Sequence, residues 1–270
     1  MKITAILCVR NEEMYLDVTL AHLTECGISL AVIDNDSTDR TLQICRKFRR
    51  WIVHQSRLPY RGCFSLTDQL AAKAEAVRQI DSDWFIHHDA DEILESPLAA
   101  ESLREGIERV SAAGFNAVNF DEFVFLPAGE QDDFAERDFY KGMRHYYFFE
   151  PAPLRLMRAW KNRPGMVQAG GGHKLDGPDL RLCPENFILR HYPHLSLEHA
   201  RRKYPLRKFA PEDLSKGWHG NRVGIRADSL VFPSPEKLKS LHSPGDKNFD
   251  RGEPWKRHFW EGYAPSRKAS

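Results

Sequence analysis

Apolar and polar residues alternate along the first half of the chain in a regular rhythm of short runs and amphipathic stretches. Residues 3–9 form an apolar run with β-branched members, which predicts a buried parallel strand. Residues 13–26 carry Leu16, Leu20 and Leu23 at helical spacing, and Gly27 is placed to end that helix. A second apolar run, 28–33, is closed by the polar cluster Asp34-Asn35-Asp36-Ser37-Thr38-Asp39. Helical spacing resumes over 41–49 through Leu42, Cys45 and Phe48, and Ile52-Val53 begins a third strand. Residues 66–80 predict a helix, and Trp84-Phe85-Ile86 a strand entering His87-His88-Asp89-Ala90-Asp91-Glu92. Ser96-Pro97 has the pattern of an N-cap followed by proline at the first helical position, opening a helix to about Ala112. A further strand covers 115–120. The order β-α-β-α-β-α-β-α-β predicts an α/β fold, a mostly parallel central sheet with helices on both faces.

After Glu122 the pattern loses this regularity. Aromatics crowd residues 139–149, Pro151 and Pro153 break the chain, and 154–160 predicts a strand. Gly170-Gly171-Gly172 forms a loop before His173, 180–190 predicts another strand, and Ser196 caps a basic helix reaching to about Phe209. Pro233, Pro235, Pro244, Pro254 and Pro265 sit among polar residues in a loosely ordered tail, although Trp255, Phe259, Trp260 and Tyr263 are side chains that ordinarily pack on something. The expected organisation is therefore 1–125 as the regular α/β half, 126–232 as an irregular, sheet-completing half of the same domain, and 233–270 as a partly ordered, Pro-rich tail.

Composition narrows the function classes. In 270 residues, 41% hydrophobic and 29% charged content suits a globular chain, and a net charge of +1 gives no electrostatic case for nucleic acid. The five cysteines (Cys8, Cys26, Cys45, Cys63, Cys183) are odd in number and scattered, against a disulfide scaffold or structural zinc site and in keeping with a reducing cytoplasm. The apolar run at the N-terminus meets Arg10-Asn11-Glu12 too soon for a signal peptide, and no run approaches the roughly 20 apolar residues that span a bilayer. The expected location is cytoplasmic. An acceptor held in a membrane would be reached peripherally, from the inner face, and membrane contact is left open.

Three strand-ending loops hold the candidate chemistry. Asp89 and Asp91, one residue apart just past a strand, can face one hard cation such as Mg²⁺ or Mn²⁺, or can divide metal and ribose hydroxyl between them. Asp34, at the end of the second strand, can accept from a base N–H or a ribose hydroxyl, while Asp39 belongs to capping the next helix. In Val9-Arg10-Asn11-Glu12, Arg10 can pair with phosphate and the backbone can meet a base. These loops follow strands one, two and four and would open onto a single edge.

Taken in this order and spacing, Arg10-Asn11-Glu12, then 34–41, then Asp89-Ala90-Asp91-Glu92 resemble the family 2 glycosyltransferases over residues 1–125, and most closely a bacterial branch of them. The resemblance implies the GT-A, nucleotide-diphospho-sugar transferase fold with a smaller, irregular acceptor-side region toward the C-terminus. It implies transfer of a sugar from a nucleotide-diphosphate sugar, with a UDP-sugar favoured, to the hydroxyl of a glycan, lipid-linked or other acceptor. A divalent ion, Mn²⁺ or Mg²⁺, and inversion at the anomeric carbon are also implied. Residue by residue, Val9, Arg10, Glu12, Asp34, Asn35, Lys73 and Asp89 are implied as donor-binding. Asn35 stands where many members have a second Asp, and Lys73 where many have Arg. Asp89, Asp91 and His191 are implied as the metal shell, with His173 as the second candidate for its histidine. Glu122 or Asp121 is expected as the general base, ahead of Glu212-Asp213. The basic stretch 201–208 is equally open to holding an anion and to forming a solvated helix face. Two alternatives stand beside transfer: a sugar nucleotidyltransferase, which the absence of a Gly-rich loop after the first strand disfavours, and a nucleotide-sugar-binding module without catalysis.

Overall fold

The computed structural model describes residues 1–129, 131–228 and 230–262. In chain order its elements are β1 (Ile3–Val9), α1 (Leu16–Glu25), β2 (Ser29–Asp34), α2 (Thr41–Lys47), β3 (Ile52–Arg57), α3 (Leu66–Gln79), β4 (Trp84–His88), β5 (Glu92–Glu95), α4 (Leu103–Ala112) and β6 (Ala117–Phe125). Then come α5 (Phe139–Gly142), β7 (His145–Phe149), β8 (Met157–Lys161), β9 (Val167–Ala169), β10 (Lys174–Asp176), β11 (Phe187–His191), α6 (Leu197–Lys203), α7 (Pro211–Ser215) and β12 (Lys239–Ser240). The described chain forms two compact units. One comprises Met1–Tyr60, Leu66–Glu122 and Ala152–His191, and the other Arg61–Ser65, Phe123–Pro151 and the chain from Tyr192 onward.

The first unit is a mixed α/β structure whose strands run in the order β3-β2-β1-β4-β8-β6, with β11 beside β6 and β5 beside β11. β3, β2, β1 and β4 are parallel, because each is joined to the next by a helical crossover. β8 lies antiparallel to both β4 and β6, and β5 antiparallel to β11. The chain leaves β1 toward β2 and β3, then returns past β1 to form β4. The right-handed crossover rule therefore puts α1 and α2 on one face and α3 on the other. In keeping with this, Ala76 of α3 and Ile80 just past its end pack on Ile6, Ala31, Ile33 and Phe85. On α1, Leu16, Leu20 and Leu23 are fully buried, each contributing about 1.5–3 kcal/mol by leaving water.

Three sequence expectations change. The helix expected from Ser96-Pro97 starts later: Ser102 is the N-cap, with a capping box to Glu105. Residues 92–95 instead form β5, a strand hidden from pattern reading because glutamates stand at both its ends. β6 continues five residues beyond Phe120, so Asp121 and Glu122 lie within a strand rather than after it. The charged pair suggested an end, but Glu122 is buried there with cationic and imidazole partners. Ser196 does cap α6, accepting from the His199 N–H at 3.1 Å, although that helix stops at Lys203.

The second unit is built on aromatics. Val124, Leu126, Tyr147, Phe149 and Leu238 form one cluster, with Phe232, Trp255 and Phe259 against it. Tyr204 and Trp260 anchor another with Ala200, Ile225 and Leu230. Trp255 stacks on Tyr147 with ring centroids 4.3 Å apart. These contacts meet the expectation that the tryptophans of 233–262 pack; Tyr263 and Pro265 lie outside the described residues. Of the basic stretch, Arg202 pairs with Glu198 and Lys203 donates to the Pro193 carbonyl at 3.0 Å, both inside this unit. Among the described residues no helix is long and apolar enough to cross a membrane.

Candidate active site

The parallel register of the first unit brings the three candidate loops together. Val9 is opposite Asp34 on β2, and Leu7 is opposite His88 on β4, so β1, β2 and β4 end on the same edge. At about 4.8 Å per strand spacing, Asp34 and the Asp89-Ala90-Asp91 turn stand roughly 10 Å apart. The strand order reverses at β1, which makes this the switch-point crevice where open α/β sheets bind ligands.

On the β1–β2 side, backbone hydrogen bonds dominate. The Val9 carbonyl accepts from Asn35 N–H at 2.8 Å, and Arg10 donates to the Asn35 carbonyl at 2.7 Å and to the Asp36 carbonyl. The Arg10 guanidinium lies 3.4 Å from the ring centroid of Tyr60. Arg10, read as a phosphate ligand, thus ties the first two loops together. The Asn35 amide turns away to donate to the Leu58 carbonyl at 2.9 Å. Asp34 is buried, and its carboxylate accepts from Ser37 N–H at 3.1 Å. The Glu12 N–H donates to Thr41 Oγ1 at 2.8 Å, which pins the loop after β1 to the start of α2. Asp39, expected to cap α2, lies one residue before its N-cap Arg40 and accepts from the Thr41 N–H at 2.9 Å.

On the β4 side the forces are ionic and buried. Asp89, whose side chain is 42% exposed, accepts from Lys73 Nζ at 3.3 Å through Oδ1 and from Arg158 at 3.1 Å through Oδ2. Lys73 is only 2% exposed and also donates to His87 Nε2 at 2.9 Å and to the His88 carbonyl at 3.2 Å. It is a buried strut for this turn. Arg158 reaches on to Glu92 Oε1 at 2.6 Å. Burial works to raise the Asp89 carboxyl, but Lys73 and Arg158 together hold it well below the usual carboxylate range. Glu92 goes the other way: burial pushes it up to about 7 against the pull of Arg158. His87 is pushed down to about 4 by burial and by Lys73 and Arg158, so it stays neutral, with Nδ1 donating to Gln168 Oε1 at 2.8 Å. His88 is pushed down to about 3 by burial, and Nδ1 is bound to the Asp89 carbonyl at 2.8 Å. Gly172 passes so close that a Cβ there would lie 2.8 Å from the His87 ring, which is why glycine stands at that position.

Asp91 has a different partner. His191, at the end of β11, places Nε2 3.6 Å from Asp91 Oδ2 while Nδ1 is bound to Glu122 Oε1 at 2.7 Å. Glu122 also pairs with Arg155. The expected base thus has one oxygen on His191 and the other on Arg155. Strand alternation turns Asp121 to the opposite face, where it accepts from Asn186 at 2.8 Å. His173, the second histidine candidate, is held well below its usual range by burial and by Arg158 and Arg155, in surroundings that disfavour a further cation. In the second unit Asp213 of the Glu212-Asp213 pair is fully buried.

The donor set can be tested for a divalent ion on chemistry alone. With Nδ1 donating to a carboxylate, a neutral His191 presents the Nε2 lone pair to Asp91, so two electron-pair donors face one another across 3.6 Å. Such a pair fits a cation between them, and the Glu122 bond is the orienting contact common behind metal-binding histidines. Asp89 fits less well, being matched already by two cations. Among the described residues no three acidic, histidine or cysteine side chains gather as a closed site, so these two would need ligand oxygens to complete a shell.

Sequence reasoning missed Arg155, Arg158 and Gln168. The signal for Arg158 was present: an arginine inside the apolar run Leu156-Met157-Arg158-Ala159-Trp160 must find a partner if the run is a buried strand.

Comparison with known proteins gives a family match. The model of the family described as Glycosyl transferase family 2 matches residues 4–152. No curated protein sequence matches the chain. Among solved structures, S. aureus TarS is similar at 15% identity and a TM-score of 0.47, over 74% of this chain and 38% of that one. S. aureus TarS 1–349 in complex with UDP is similar at 14% identity and a TM-score of 0.45, over 74% and 64%. The mannosyltransferase PcManGT from Pyrobaculum calidifontis, in complex with GDP-Man and Mn²⁺, is similar at 14% and 0.44, over 78% and 66%. The chain therefore spans less than two thirds of the length of each of these proteins.

Proposed function

The chain belongs to glycosyl transferase family 2, and from that premise we propose that it transfers a sugar from a nucleotide-diphosphate donor to an acceptor hydroxyl with the help of a divalent cation. The observation that carries this reading is the shared edge of β1, β2 and β4, with Asp34 at one end and Asp91 facing His191 at the other. Asp34 is assigned to the nucleoside, and the exposed edge of Asp89 to a ribose hydroxyl. Asp91 and His191 would hold the Mn²⁺ or Mg²⁺ ion, which when bound neutralises charge on the departing nucleotide diphosphate. Glu122 orients His191 and fixes its tautomer. Arg10 and Asn35 shape the nucleoside loop, and Lys73 supports Asp89 from beneath. UDP is the first nucleotide to try, on family grounds. The acceptor class is a hydroxyl compound, either free or presented at a membrane surface.

The test is a calorimetric titration of UDP and GDP into the protein with and without Mn²⁺. Transfer predicts that one of them binds and that Mn²⁺ tightens it at least tenfold, with slow metal-dependent hydrolysis of the matching sugar nucleotide. Metal-tightened binding without hydrolysis or transfer would favour the binding module. No binding of either nucleotide would sink the assignment. Release of pyrophosphate from a nucleoside triphosphate and a sugar phosphate would point to the nucleotidyltransferase.

A further inference from the structure

We propose that Arg155 and Arg158 are positioning residues that brace the two carboxylates of the Asp89-Ala90-Asp91 turn independently, Arg158 for nucleoside binding and Arg155 for metal binding. The inference rests on the transfer reading above. It adds two residues that lie beyond the family match at residues 4–152.

Both arginines arrive with the chain as it enters β8. That strand pairs antiparallel with β4, with Trp84 opposite Lys161 and Ile86 opposite Ala159. The same register continued by one pair sets Arg158 beside His87, so its guanidinium reaches the turn that follows β4. Arg158 is 4% exposed and grips Asp89 Oδ2 at 3.1 Å and Glu92 Oε1 at 2.6 Å, while Lys73 holds the other Asp89 oxygen at 3.3 Å. Asp89 therefore has one rotamer, with the rest of its carboxylate turned outward. Arg155 acts at one remove. It pairs with Glu122, Glu122 fixes His191 Nδ1 at 2.7 Å, and His191 Nε2 faces Asp91 at 3.6 Å. The two arms touch different carboxylates and differ in how directly cations grip them: Lys73 and Arg158 both sit on Asp89, whereas Arg155 pairs with Glu122 and stands behind His191. That difference directs a metal to the Asp91 arm and a neutral hydroxyl to the Asp89 arm. A brace is needed because a site held loosely by even 1 Å loses function, and a short turn cannot hold two like charges in place by itself.

A purely structural role for the arginines would weaken everything together, so the test reads two affinities separately. Arg158→Lys and Arg155→Lys keep the charge and remove the planar fork. Whichever of UDP and GDP the wild type binds more tightly is titrated without metal by calorimetry. Mn²⁺ is then titrated at saturating nucleotide by loss of the free-ion paramagnetic signal. Arg158→Lys should weaken metal-free nucleotide binding about tenfold with Mn²⁺ affinity within about twofold of wild type. Arg155→Lys should do the reverse, since losing the orienting contact behind a metal ligand typically costs about 10–100-fold in metal affinity. If either variant does not fold, Glu92→Gln and Glu122→Gln loosen the same two arms and should show the same split. Equal shifts in both affinities, or none, overturn the brace while leaving the transfer reading intact. A wild type that binds neither nucleotide overturns both.

Discussion

The loops after β1 and β2 and the turn after β4 stand on one sheet edge, yet different forces hold them. On the first side, Val9, Asn35, Arg10 and Asp34 are linked mostly through backbone N–H and C=O groups, and ion pairs such as Arg57 with Asp36 and Arg40 with Glu13 are open to solvent. On the second, Lys73, Arg158, Glu92 and Glu122 are nearly inaccessible and sit in close ionic contacts: Lys73 with Asp89, Arg158 with Asp89 and Glu92, and Glu122 with Arg155 and His191. A loop stitched by its own backbone tolerates the loss of any one side chain. A buried charge cluster does not, because each group removed leaves another unpaired in a medium of low polarity.

The largest effect is expected where that second side would meet the ion. Asp91→Ala removes the carboxylate opposite His191. Metal-dependent transfer, or donor hydrolysis in the absence of acceptor, should fall by about 10²–10³-fold or more, comparable to removing one charge-stabilising group from an active site. The melting temperature should stay within a few degrees of wild type. Asp34→Ala should instead raise the donor KM with a smaller change in kcat. If Asp91→Ala retains full metal-stimulated activity, the two sides do not divide the work in this way.

Next in size is a stability effect. Arg158→Met leaves Asp89 and Glu92 facing one another without their shared cation. Breaking a buried pair from one side typically costs about 3–5 kcal/mol, and urea unfolding should show it. The double variant Arg158→Met/Glu92→Leu, which removes the stranded carboxylate too, should recover much of that loss.

The contrast also explains what sequence could tell. Asp34, Asp39 and the parallel strands were readable because their structure is local: an apolar run, a polar stop, a bond two residues on. Arg10, expected on phosphate, was not, since its partners Asn35 and Asp36 lie 25 and 26 residues away. Asp89 and Asp91 were readable from their place after a strand. Their partners were not, since Arg158 is 69 residues from Asp89 and Glu122 is 69 from His191, and no periodicity in one segment reveals such a pairing. The misread end of β6 has the same origin. Asp121-Glu122 has the local texture of a turn, and only Arg155 and His191 make a glutamate tolerable inside a strand. Likewise Lys73, expected among the donor-binding residues, is buried under the turn, where it donates to the His88 carbonyl and Asp89.

Acid should unfold the second side first. His87 and His88 are held neutral with values of about 4 and about 3, below the usual imidazole value near 6.5. As pH falls from 6.5 toward 4 the unfolded chain takes up protons that the folded chain refuses, so stability declines by on the order of 1 kcal/mol per pH unit for each histidine. Glu92, pushed up to about 7, opposes this, since the folded state gains its proton first. His173, held well below its usual range as well, adds to the loss, so the net is a decline, visible as a melting temperature that drops between pH 6.5 and 4.5. His87→Gln should flatten that slope. Protonating His87 would set an N–H against the Lys73 ammonium 2.9 Å away, so a wild-type profile that stays level would mean the ring is not confined there.

The smallest effect is the most discriminating control. Arg57→Ala removes an arginine–carboxylate pair of the same chemistry as Arg158 with Asp89, but the Arg57 side chain is 72% exposed. Water and salt screen such a pair, and many of them contribute nothing measurable. Asp36 would keep its place, because its carboxylate also accepts from Tyr60 N–H at 2.9 Å and its carbonyl is bound by Arg10. The urea midpoint of Arg57→Ala should match wild type within error, at low and at high salt, and nucleotide binding should be unchanged. A loss approaching that of Arg158→Met would mean that burial does not separate the two sides, and that the β1–β2 loops depend on their charges as much as the turn after β4 does.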